Sequence, residues 1–125
     1  MANPNIVNVA AIYGENSSTS LTTTSATSIV SNAASSGKVY KINMIIVSNV
    51  DGSAAADITI SKYSAASLGG TAFPIASTIS VPADATLIVL DKTTALYLKE
   101  NESIGATAGT ASDLVVTCSW EEINA

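Results

Sequence analysis

Apolar and polar positions alternate along most of the chain, and no stretch sustains the three-to-four-residue spacing of an amphipathic helix. The longest apolar run is 37–50, GKVYKINMIIVSNV. Its even face carries Ile42, Met44 and Ile46; its odd face carries Lys41, Asn43, Ile45 and Val47. The odd face begins polar and ends apolar, the pattern of a central strand whose outer face is half covered. The even face is expected to form the core with Ile58 and Ile60 of the strand-like 57–63, DITISKY, across a hairpin. Leu114, Val116, Cys118 and Trp120 of 114–123 should complete it.

The remaining segments are shorter. Residues 5–13 predict a first strand or an arm, and 14–19 a loop. The β-branched run 21–31 places Leu21 among threonines, on a solvated or interfacial sheet face. Residues 64–71 predict a small-residue loop with Gly69 and Gly70 as a flexible or left-handed point. In 72–81, Pro74 removes a ladder donor and marks an edge or a break. Residues 85–90 predict a strand buried on both faces, 95–99 a strand with Leu96 and Leu98 inward, and 103–108 a weak strand around Ile104. Eight or nine short strands punctuated by Gly, Asn, Asp and Pro predict an all-β fold. The expected architecture is an antiparallel β-sandwich, jelly-roll or Ig-like, in one domain over 1–125 with 1–13 as an arm or edge strand.

Composition narrows the chemistry. Charged residues are only 12% of 125, with five lysines, ten acids, no Arg and no His. Phosphate neutralisation needs several cations on one face, so nucleic acid is not an expected partner. No window approaches 18 apolar residues, and the opening MANPNIVNV lacks a basic region followed by a long apolar one. Neither a membrane helix nor a Sec-type leader is expected. Cys118 stands alone and in phase with its inward neighbours, which reads as a small buried hydrophobe. A thiol or serine nucleophile would want a basic partner, and the chain has no His to supply one. Asp51, Asp57, Asp84, Asp91 and Asp113 sit at turns or strand ends, where capping accounts for them. No catalytic residue, cofactor or metal site is therefore expected. Low charge and a Ser/Thr/Ala-rich surface suit a protein packed against copies of itself, since such a surface desolvates cheaply. The candidate interface residues are Ile6, Val7, Val9, Leu21, Ile45 and Val47. Tyr40, Tyr63 and Tyr97 join them if they share an outer face.

Four stretches carry a resemblance over nearly the full length. They are NIVNVAAIYG, LTTTSATSIVSNAASSGKVYKINMIIVSNVDG, SVPADATLIVLDK and LYLKENESIGATAGTASDLVVTCSWEEI. Together they resemble small virion structural proteins of tailed bacteriophages, particularly those of marine bacteria and cyanobacteria. The resemblance implies a non-enzymatic virion component assembled in the host cytoplasm. Its expected role is a capsid decoration (cement) subunit stabilising the head. The alternative is a tail, neck or fibre-associated subunit that binds a host receptor or carbohydrate. It further implies a homo-oligomer, with a trimer favoured, and partners such as the major capsid protein. No site residue carries over from it.

Overall fold

Strand β3, Lys38–Asn49, is the axis of the molecule. The computed structural model describes residues 4–124. Around β3 lie β1 (Ala11–Ser20), β2 (Thr27–Asn32), β4 (Ala56–Ala65), β5 (Gly69–Val81), β6 (Thr86–Leu90), β7 (Leu96–Leu98), β8 (Glu102–Ala108) and β9 (Leu114–Asn124). All pairings are antiparallel. One sheet runs β1-β9-β3-β6, with β7 also on β3; the other runs β2-β8-β4-β5. The chain changes sheet at most connections, and its first and last strands are neighbours. This is the winding of a jelly roll rather than an Ig-like domain. Strands β6 and β7 lie in line along β3, parted by a single 3-10 turn, Lys92–Thr94. Asp91 caps that turn, accepting from the amide of Thr93 at 2.9 Å.

The expected β3–β4 hairpin does not form. Residues 50–55 carry the chain across to the other sheet, so Ile58 and Ile60 face Ile42 across the core instead of beside it. The expected core face of β3 is right only in its first half. Ile42 pairs with Trp120, but Met44 pairs with Ser119, so Asn43 is an extra residue. One such bulge moves every later side chain to the opposite face. Ile45 and Val47 therefore point inward and are fully buried, while Met44 and Ile46 lie on the outer face.

Two further boundaries move. The first strand begins at Ala11 and runs through the segment expected to be a loop, GENSST, because β9 offers ten partners in unbroken register. Leu21 lies in the loop after it, not on a solvated face. Its amide donates to Leu114 O, its carbonyl accepts from Ser112 N, and its side chain is fully buried. Strand β6 is not buried on both faces: its outward Ile88 is 63% exposed.

Two buried asparagines tie the sheets together. Asn32 Nδ2, from the second sheet, donates to Lys38 O (2.9 Å) and Leu98 O (3.3 Å) in the first. Asn49 Nδ2, at the end of β3, donates to Val81 O (2.9 Å) in β5. A buried amide with this many partners recovers the hydrogen bonds it lost to water.

Candidate functional site

A sheet edge that faces its own core should be dry. One is not. In the second sheet, partners across β4 and β5 share a face: Ile58 with Ile79, Ile60 with Ala76, and Lys62 with Phe73. Ile58 and Ile60 are core residues. Ile79 and Phe73 therefore project on the core side, yet they stand exposed, Phe73 at 54%. The first sheet covers them only in part. The result is an apolar groove of about 260 Å³ between Phe73, Pro74 and Ile75 on β5 and Leu90, Ala95 and Leu96 on the opposite side. Lys62 lines it too, with its charge held by Glu102 Oε2 at 2.9 Å. Glu102 in turn accepts from the amide of Lys99 through Oε1 at 2.9 Å. The groove is thus apolar with a neutralised floor. Among the described residues β5 pairs only with β4, which leaves its other edge free of them.

Part of the outer face of the same sheet, around Ser103 and Gly105 on β8, is covered. The β4–β5 hairpin tip folds over it, and three successive amides find side-chain acceptors there. Ala66 N donates to Asn101 Oδ1 (3.1 Å), Ser67 N to Ser31 Oγ (2.9 Å) and Leu68 N to Ser103 Oγ (2.9 Å). The expected loop is therefore docked, and Gly70 takes the left-handed conformation expected of the glycine pair. Ser67, Leu68 and Gly70 all have positive φ, which only glycine adopts without cost. Gly105 sits beneath: a Cβ there would lie 2.6 Å from Leu68 Cδ2 and 3.0 Å from Tyr63 Cε2.

A second uncovered apolar region is the segment before β1. Pro4 and Ile6 share a groove of about 280 Å³ with Val39, Tyr97 and Lys99 on the outer face of the first sheet. Val39 and Ile123 are buried on that face, outside the main core cluster. Beyond them the segment is loosely tied. Asn8 N donates to Asn5 O (3.2 Å) and Val7 N to Asn5 Oδ1 (3.0 Å). Ile6 is half exposed, and Val7 is 92% exposed.

A third region is the end where the first sheet's core face passes from aliphatic to aromatic and charged. Tyr13, Glu122 and Tyr40 form one row across β1, β9 and β3; Glu15 and Trp120 belong to the next. Tyr40 stacks on Trp120 with centroids 6.0 Å apart. Lys38 Nζ meets Glu122 Oε1 at 3.2 Å, and this hydrogen bond and charge raise the lysine pKa. Burial, then the Glu122 charge, raise that of Tyr40. The Trp120 indole N–H is buried without a hydrogen-bond acceptor.

The expected interface residues are scattered over these regions. Ile6, Val7 and Val9 lie in the N-terminal segment, exposed or partly so. Leu21, Ile45 and Val47 are fully buried inside their own chain and offer nothing to a neighbour, because the loop at Leu21 folds inward and the Asn43 bulge reverses the face of β3. The three tyrosines do not share a face. Tyr40 lies on the core side of the first sheet, Tyr97 on its outer side, and Tyr63 on the outer side of the second sheet. The sequence signal that could have found the groove is the uncharged run 64–83, which contains an entire edge strand.

Among the described residues no three His, Cys, Asp or Glu side chains gather as a metal site. Asp51 and Asp91 cap their own turns through Ser53 and Thr93, and those hydrogen bonds lower both pKa values. Cys118 is buried, and desolvation pushes its pKa up to about 12. Such a thiol stays protonated and is a poor nucleophile.

The fold and these surfaces define a two-sheet jelly-roll β-sandwich. No protein-family model and no curated protein matches the chain. Among solved structures it is similar to one described by the words "Bacillus endospore appendages form a novel family of disulfide-linked pili". The two are 16% identical, with a TM-score of 0.48, over 90% of this chain and 88% of that one.

Proposed function

We propose that this chain is a non-enzymatic structural subunit that works in many copies on a phage particle, as a decoration protein stabilising the capsid. The observation that carries the reading is the uncovered core-side stripe of β5, in a chain with only 12% charged residues. A monomer that stays alone in solution has reason to cover or charge such an edge; a subunit that packs against copies leaves it open. Binding to an assembled shell and not to loose shell protein would stabilise the shell by mass action. The partners in this reading are other copies, with a trimer favoured, and the major capsid protein. Nucleic acid and membrane have no part in it: five lysines against ten acids form no phosphate track, and no described helix is long and apolar enough to cross a membrane. The test is solution mass together with imaging of intact particles. Symmetric copies of this density on the head are expected. A strictly monomeric chain that never travels with particles would sink the reading.

A tail or fibre subunit that binds a host glycan is the second reading. The aromatic end favours it, where exposed Tyr13 lies beside Tyr40, Trp120, Glu15 and Glu122. Trp120 is the sole tryptophan, so its fluorescence should shift when host glycan is titrated in. An unchanged spectrum removes this reading and leaves the first in place.

A further inference from the structure

We infer that the groove between β5 and β6–β7 is the seat for the N-terminal segment of a second copy of this chain. The inference rests on the assembly reading above and gives it a contact. Three features of the groove describe its occupant. Its walls are apolar, from Phe73 and Ile75 on one side to Leu90 and Leu96 on the other. Its cation is already neutralised, since Lys62 is held by Glu102. It runs beside the free edge of β5, whose backbone can pair with an extended strand. The occupant should therefore be short, extended, apolar and uncharged.

The segment 4–10 meets each condition. It has no charged side chain; the first in the chain is Glu15. Extended, its seven residues reach about 23 Å, enough to follow much of an edge strand. Val7 and Val9 then fall on one face, toward the groove, with Ile6 and Asn8 on the other. Leaving its present position costs the contact of Pro4 and Ile6 with Val39 and Tyr97 and two local hydrogen bonds. The hydrogen bonds within the turn are Asn8 N to Asn5 O and Val7 N to Asn5 Oδ1, and the valine at its tip is almost wholly in water. Strand β1 begins at Ala11, anchored by a backbone bond from Ala10 N to Asn124 O, so the segment swings from a fixed root. The exposed apolar plug and the uncovered apolar seat lie on different parts of one surface. A contact between them is heterologous, so it closes into a ring or continues as a filament.

Two variants test this. Val7→Asp puts a carboxylate on the plug, and Phe73→Asp puts one in the seat. Neither position belongs to the main core cluster, so each variant should keep the wild-type far-UV spectrum and melting temperature within a few degrees. In light scattering or sedimentation, wild type should associate and each variant alone should associate about tenfold more weakly or worse. Mixing the two is the decisive measurement. The Phe73→Asp copy still has its plug and the Val7→Asp copy its seat, so the mixture should give a one-to-one pair and stop there. Variants that associate like wild type, or a mixture that stays monomeric while wild type associates, would overturn the contact and leave the assembly reading standing. A monomeric wild type would overturn both. So would an intramolecular seat, seen as a monomer whose groove is protected from hydrogen exchange by its own segment.

Discussion

Strands β5 and β8 flank the same strand, β4, and their fates are opposite. By sequence β5 is the more apolar, with Phe73, Ile75, Ile79 and Val81 in thirteen residues; β8 reads ESIGATA. Yet all but one residue of β8 is buried, and only Ala76 and Val81 of β5 are. The difference is place. Strand β8 lies between β2 and β4, with the first sheet over one face and the hairpin tip over the other. Small side chains are what such a slot admits. Strand β5 ends its sheet, and its apolar side chains wait on a groove. Apolar content marked which segments were strands; neighbours decided which were inside.

The sharpest way to break this contrast is to hollow out the covered strand. Ile104→Ala in β8 should cost about 2–5 kcal/mol, read as a lower denaturant midpoint, because the cavity has no route to collapse. Filling the same strand from its outer side is the next largest change. Gly105→Val drives a side chain into Leu68 and Tyr63 and should cost about 1–3 kcal/mol, with faster exchange of the Ala66, Ser67 and Leu68 amides as the tip lifts. Cutting the tie between β3 and the covered end of β5 comes third. Asn49→Ala leaves the Val81 carbonyl short of a donor and should cost about 1–3 kcal/mol in the same assay, toward the lower end if water enters. Cys118 probes the dry interior by pH. Its folded pKa is raised, so it favours the folded state least where the unfolded chain can ionise: stability is full below pH 9 and declines from there toward 12. By pH 10 the loss should be about 1 kcal/mol, absent in Cys118→Ala measured against its own neutral value. The smallest effect belongs to the open strand. Phe73→Ser should change monomer stability by no more than about 0.5 kcal/mol.

The two-sheet fold and most strands were legible because side-chain alternation and turn residues are local signals. Leu114, Val116 and Cys118 point inward as their spacing required, and Pro74 sits on an edge strand as its missing donor required. What was not legible depends on partners. The inward turn of Ile45 and Val47 follows from one unmatched residue, Asn43, and only the strand alongside shows it to be unmatched. GENSST has loop composition and becomes strand because β9 supplies a ladder for it. The candidate surface was half legible. Exposure of Ile6 and Val7 accords with an apolar segment outside the core, while the groove that could receive them is assembled from residues of β4 to β7 that nothing in the linear pattern links.

The pairing of β1 with β9 also orders events in time. Ala11 lies opposite Asn124, and β9 sits between β1 and β3 in the sheet. During synthesis the first sheet therefore has a gap at its centre until the last eleven strand residues leave the ribosome. Until then β3 shows an unpaired edge to every other nascent copy nearby. A chain made in many copies at once is most exposed to mispairing in that interval. Slowing translation just before residue 114 should lower the soluble yield more than slowing it anywhere earlier.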